Sequence, residues 1–190
     1  MAAFKKGYNK MTQAQLKKDP DQVTLYAQPY DLDASGFYFD SFEDYEAKYN
    51  KNCNVYGQPV EEYMFDFIDG SAIDCDLFKA VTGGYNLKAF FMVANTWEEY
   101  QKIPLIIAYE ENITSEPFNE EVTPDLFEDI DIYYDMSFED LAWEFIENGL
   151  FGDIPDHLKY YLDIEKMARD LSFDYNEISV GNNSIIYRSN

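Results

Sequence analysis

At 190 residues the chain can bury roughly 70% of its unfolded surface, and 17 Tyr with 15 Phe exclude the aromatic-poor composition of a disordered chain. A formal charge of −23, from 37 Asp and Glu against 14 Lys and Arg, argues against direct binding to nucleic acid through a basic face. Two cysteines without metal-site spacing exclude a disulfide framework and fit a reducing cytoplasm, and the longest apolar run, residues 103–109, is too short to span a membrane.

Residues 1–18 hold Lys5, Lys6, Lys10, Lys17 and Lys18 with no acid, so residues 1–20 read as a basic, flexible extension. Residues 23–28, 37–39 and 63–68 read as strands, the last with Tyr63, Phe65 and Phe67 alternating with Met64 and Asp66. Between the last two, Ser41 caps a helix with Asp44 at its third position and Phe42, Tyr45 and Tyr49 on one face. Residues 21–70 therefore form a sheet-plus-helix domain.

Residues 71–122 read as a short-helix domain, with helices over 74–81 and 86–95 and a capping box at Thr96-Trp97-Glu98-Glu99. Pro104, Pro117 and Pro124 are expected to limit helix length there. In residues 123–190, Ile130, Ile132 and Tyr134 alternate as a strand, and Ser137 caps a helix that turns Phe138, Leu141, Phe145 and Ile146 inward and stops at Gly149. A turn around Pro155, a helix over 164–171 and strands over 173–180 and 184–188, joined at Gly181-Asn182-Asn183, complete a second sheet-plus-helix unit. The fold class is α+β, expected as three small domains in an elongated chain. Ser41-Phe42-Glu43-Asp44 recurs as Ser137-Phe138-Glu139-Asp140, one capping solution used twice.

Little here points to catalysis. Asp31-Leu32-Asp33-Ala34-Ser35-Gly36 matches the start of a calcium loop, but its twelfth position is Phe42 rather than Glu, which favours a tight turn. His157 is the only histidine, and no phosphate loop, nucleophile elbow or dinucleotide fingerprint occurs. No catalytic residue, metal or cofactor is expected.

The charge distribution is more informative. Residues 19–190 carry a net −28, and residues 103–158 contain sixteen acids without one Lys or Arg. Like charges on one surface repel, so an external partner is the natural reason for them. Asp140, Glu144 and Glu147 fall at i, i+4 and i+7, expected on the outer face of their helix about 5–6 Å apart, against about 3.4 Å between phosphates along a DNA strand. At duplex density the net charge corresponds to about 14 base pairs.

Leu150-Phe151-Gly152-Asp153-Ile154-Pro155, followed by Leu158, Tyr160-Tyr161, Asp163 and Met167-Ala168-Arg169-Asp170-Leu171, resembles the ArdA antirestriction family. Ser41-Phe42-Glu43-Asp44-Tyr45-Glu46 and Phe65-Asp66-Phe67-Ile68-Asp69-Gly70 are similar to family positions as well. The resemblance covers residues 23–80 and 123–188, and is weak over 85–122. It implies a curved, three-domain homodimer from a phage or other mobile element that mimics bent DNA and occupies the DNA site of type I restriction-modification enzymes in the host cytoplasm.

The mimic residues expected here are Asp40, Glu43, Asp44 and Glu46 at one end, then Glu110, Glu111, Glu116, Glu120, Glu121, Asp125, Glu128, Asp129, Asp135, Glu139, Asp140, Glu144 and Glu147. The family's antirestriction motif corresponds to residues 144–155, with Glu144, Phe145, Leu150, Phe151, Gly152, Ile154 and Pro155. Its apolar members serve either local packing or a dimer contact. Other readings are inhibition of a CRISPR effector or nucleoid protein, and a calcium-dependent or carboxylate enzyme built on Asp31 and Asp33.

Overall fold

Apolar and polar residues alternate in β1 (Thr24–Pro29), which turns Leu25 and Ala27 inward and leaves Gln28 exposed. The computed structural model describes residues 22–81 and 86–189, so the extension expected over 1–20 lies outside the described residues. β1 is the centre of an antiparallel sheet in the order β2-β1-β3, with β2 at Phe37–Phe39 and β3 at Tyr63–Asp69. The register sets Leu25 between Phe39 and Phe67, and Ala27 between Phe37 and Phe65, so small inner residues of β1 are flanked by aromatic ones.

Helix α1 (Phe42–Tyr49) covers that aromatic face. Its start is fixed by Ser41, whose Oγ accepts the Asp44 N–H at 3.1 Å, a cap worth about 1 kcal/mol. The Tyr45 ring lies 5.1 Å from Phe39 and 5.5 Å from Phe65, and Tyr49 lies 5.8 Å from Tyr63. Each such pair adds about 0.5–1.5 kcal/mol beyond the area it buries. Burial, with the neighbouring Tyr49 and Tyr63, pushes the Tyr45 phenol up to about 12.

The aromatic packing continues through Phe39 and Phe91, and through Phe67, Phe78 and Phe90, into three helices. These are α2 (Ala72–Ala80), α3 (Leu87–Thr96) and α4 (Glu99–Glu110). The capping box lies two residues beyond its expected place. Glu98 caps α4 with Gln101, while Thr96 ends α3 and donates its hydroxyl to the Met92 carbonyl at 2.7 Å. Pro104 does not end α4 either. Tyr100, whose carbonyl would have received the missing N–H, is exposed in the first turn, and burial of Ile103, Leu105, Ile106, Ile107 and Ala108 outweighs that one lost bond.

One charged pair is sealed among these helices. Lys102 Nζ lies 2.8 Å from Asp74 Oδ1 and donates to the Ala94 carbonyl at the end of α3 at 2.7 Å, while the Ser71 hydroxyl donates to the other Asp74 oxygen at 2.8 Å. Both side chains are buried.

In the second sheet, order β4-β6-β5, the strands are β4 (Ile130–Tyr134), β5 (Asn176–Val180) and β6 (Asn183–Ser189). Central β6 is apolar without a break through Ile185, Ile186 and Tyr187 because both of its faces are covered. Ile185 and Tyr187 join the main cluster with α2 and α4, whereas Ile186 meets Leu141, Phe145 and Tyr175 on the other side. That second side lies under α5 (Phe138–Glu147) and α7 (Ile164–Leu171), with α6 (Asp156–Lys159) between them in sequence. The main cluster draws residues from all three segments, 21–70, 71–122 and 123–190. The Gly181 N–H, at the β5–β6 turn, also donates to Asp76 of α2 at 2.7 Å.

Candidate acidic interaction surface

The expected mimic residues reach solvent in every stretch. Glu43 and Glu46 on α1 are exposed, with Asp40 and Asp44 half-buried beside them. Asp44 is neutralised locally: Lys48 Nζ lies 2.6 Å from its carboxylate and also bonds the Tyr38 carbonyl. Residues 103–158 contain no base, yet Asp131 reaches Arg188 at 2.9 Å and Asp156 reaches Lys159 at 3.0 Å, both beyond that segment. Glu110, Glu116, Glu120, Glu121, Asp125, Glu128, Glu139 and Glu147 are exposed and meet no cation among the described residues.

Residues 112–129 carry much of this charge and, although residues 114–123 read as a loop in the sequence, are held on the fold by three apolar plugs. Phe118 packs on Tyr109 at 5.8 Å, Phe127 lies 6.3 Å from the same ring, and Val122 is buried. The Tyr109 hydroxyl donates to the Glu116 carbonyl at 3.1 Å, and Asn119 Oδ1 accepts the Glu121 N–H at 2.8 Å. Pro124–Phe127 forms a short 3-10 turn that places Asp125 near its start. The spacing of Phe118, Val122 and Phe127 was the signal in the sequence for this anchoring. Glu111 acts on Tyr187, whose phenol is pushed up to about 12 by burial first and by the Glu111 carboxylate second.

On α5 the exposed face comprises Glu139, Asp140, Trp143 and Glu147. Asp140 completes a capping box with Ser137, whose hydroxyl and backbone N–H both donate to its carboxylate, at 2.6 and 3.0 Å, and hold its pKa below the usual value. Glu144, expected on that outer face, sits at its edge instead: it is half-buried between the Leu141 and Phe145 side of the helix and solvent, with Oε2 shielded and without a hydrogen-bond partner. Asp135, after β4, holds a left-handed φ of 51° and is exposed.

Charge placement runs against helix electrostatics. The C-terminal end of a helix disfavours negative groups. Glu110 and Glu111 nevertheless close α4, and Glu144 and Glu147 fill the last turn of α5, with no base in either last turn.

The motif over 144–155 divides between two environments. Phe145 is buried, 5.8 Å from both Tyr133 and Tyr175. Gly149 and Gly152 both hold positive φ; between them Leu150 is 63% exposed, whereas Phe151, 48% exposed, sets its ring 6.3 Å from that of Phe145. Ile154 is half-buried and Pro155 exposed, while Tyr160 and Tyr161 add two more exposed rings nearby in sequence.

Asp31 forms an Asx turn. One of its oxygens accepts the Asp33 N–H and the other accepts the Asn54 amide, both at 2.9 Å, which lowers its pKa. No group of three or more His, Cys, Asp or Glu side chains that could hold a metal occurs among the described residues. Cys53 is exposed, Cys75 half-buried, and both are free thiols. No helix among the described residues is long and apolar enough to cross a membrane. No family model matches the chain, and no curated protein matches it.

Proposed function

We propose that this chain is a DNA mimic that occupies the DNA-binding site of a type I restriction-modification enzyme, and that it performs no chemistry of its own. The observation that carries this reading is the set of exposed, cation-free carboxylates held on anchored backbone, including Glu110 and Glu147 at helix ends where they oppose the fold. A DNA-reading cleft is lined with Lys and Arg that neutralise phosphates. Carboxylates fixed in place meet those cations without the ordering cost that a mobile acidic tail would carry. The resemblance of residues 144–155 to the ArdA motif favours restriction enzymes over other DNA-binding targets. Exposed Leu150 favours a homodimer contact for that part of the motif, while Phe151 also packs locally on Phe145. The site of action is the cytoplasm of a bacterial host.

The test is competition between the protein and a duplex for a purified type I restriction enzyme at several salt concentrations. The expected result is displacement of DNA at low salt, with affinity falling steeply as salt rises. Absence of displacement at every salt concentration refutes the reading.

A further inference from the structure

We propose that the tip of the first sheet is a second docking element, a rigid apolar knob that seats in an apolar cup edged by Lys and Arg on the wall of the target's DNA cleft. This inference rests on the DNA-mimic reading and extends it to a contact that DNA itself does not make. The tip is built from two loops, residues 30–36 and 52–62. It exposes Tyr30, Leu32, Val55 and Tyr56 by 64%, 97%, 75% and 73%. Single exposed apolar residues are ordinary, but four on one joined pair of loops are not.

The loops are joined by specific bonds. The Val55 N–H donates to the Asp33 carbonyl at 3.0 Å, the Asn52 amide to the Ser35 carbonyl at 3.0 Å, and the Tyr30 N–H to the Glu62 carbonyl at 3.1 Å. Asn54 is the node. Its Nδ2 donates to Asp31, and its Oδ1 accepts the N–H groups of Tyr56 and Gln58, both at 3.0 Å. Leu32 and Tyr56 are thereby presented on preformed turns, so seating them costs little ordering entropy. None of the four supports the hydrophobic core, and a turn is where polar residues are the rule.

Charge identifies the occupant. Asp31, Asp33, Glu61 and Glu62 lie on the same two loops, Asp31 half-buried and the other three exposed, and the loops hold no base. A shallow cavity of about 240 Å³ beside Tyr30 is edged by Asp31, Glu61 and Glu62. An apolar anchor with an anionic rim fits a basic-edged cup, and the protein wall next to a phosphate-reading groove supplies that edge. The body of a second copy, with a net −28 over residues 19–190, repels the rim instead.

The test compares wild type with Leu32→Ser/Val55→Ser/Tyr56→Ser, and with Leu32→Ser alone, for affinity to a purified type I restriction enzyme across a salt series. The expected result is about tenfold or more weaker binding for the triple variant and a smaller loss for the single, with the salt dependence unchanged because no charge was altered. Circular dichroism and the urea midpoint are expected to stay at wild-type values, since all three side chains are exposed. If wild type displaces DNA and the triple variant does so equally well, the knob is refuted while the mimic reading stands. If wild type does not bind the enzyme, the mimic reading falls and this inference with it. Concentration-dependent self-association of wild type, abolished in the triple variant, also overturns the proposal, by assigning the tip to a second copy.

Discussion

Reversing charge at opposite ends of α5 is expected to move stability in opposite directions while moving affinity in one. Glu147 lies exposed in the last turn, where no base offsets the helix dipole, and Glu110 occupies the same place on α4. A charge at an exposed helix end contributes roughly 0.3–1 kcal/mol. Glu110→Lys/Glu147→Lys converts two unfavourable contacts into favourable ones, about 1–4 kcal/mol before screening and about 1–2 kcal/mol at physiological salt. For a chain of this size that raises Tm by about 2–8 °C. Glu139 lies in the first turn of α5, where a negative charge is favourable, so Glu139→Lys is expected to lower Tm. Both variants should weaken inhibition, because each removes carboxylates that meet cations on the target. The double reversal is expected to cost about tenfold or more in affinity. Calorimetry measures the first effect and competition for the restriction enzyme the second. A double variant that is less stable than wild type refutes the claim that these acids oppose the fold, and unchanged affinity in both variants removes these positions from recognition.

Lys102→Met strands the buried Asp74 carboxylate and the Ala94 carbonyl, and is expected to cost about 3–5 kcal/mol, or about 6–20 °C in Tm. Adding Asp74→Leu should recover most of that loss, and a Lys102→Met protein as stable as wild type would contradict the sealed pair. Ser137→Ala removes the hydroxyl bond, the larger of the two that hold the Asp140 pKa below its ordinary 3.8, and leaves the backbone N–H bond in place. That contribution is fully present above the ordinary value and is lost as pH falls through the lower folded value, so the gap in urea midpoint between wild type and variant should narrow as pH falls below 3.8. An undiminished gap there counts against the carboxylate's part in the cap. Leu150→Ser should leave Tm within about 2 °C of wild type, since that side chain is exposed, while shifting sedimentation from dimer to monomer. A wild-type protein that sediments as a monomer at micromolar concentration refutes the dimer contact.

Local chemistry made much of this protein legible from its sequence. Ser41 and Ser137 cap helices because a hydroxyl three residues before a free N–H satisfies it wherever the helix is placed. Period-two alternation announced β3, and a Gly-Asn step announced the β5–β6 turn, because both depend on residues adjacent in sequence. Where tertiary packing overrides local preference, local signals misled. Pro104 is carried inside α4 by the burial around it, and the cap of that helix fell to Glu98 rather than Thr96.

The acidic character belongs to the sequence alone, since folding changes neither the net charge nor the absence of Lys and Arg from residues 103–158. Which carboxylates stand free was decided by the tertiary structure. Arg188 comes to Asp131 from 57 residues away, Lys102 is drawn inward to Asp74, Glu144 turns partly under its helix, and Phe118, Val122 and Phe127 hold a charged loop against the core. Composition sets the number of charges, but pairing and burial depend on distances in space, and those exist only once the chain has folded.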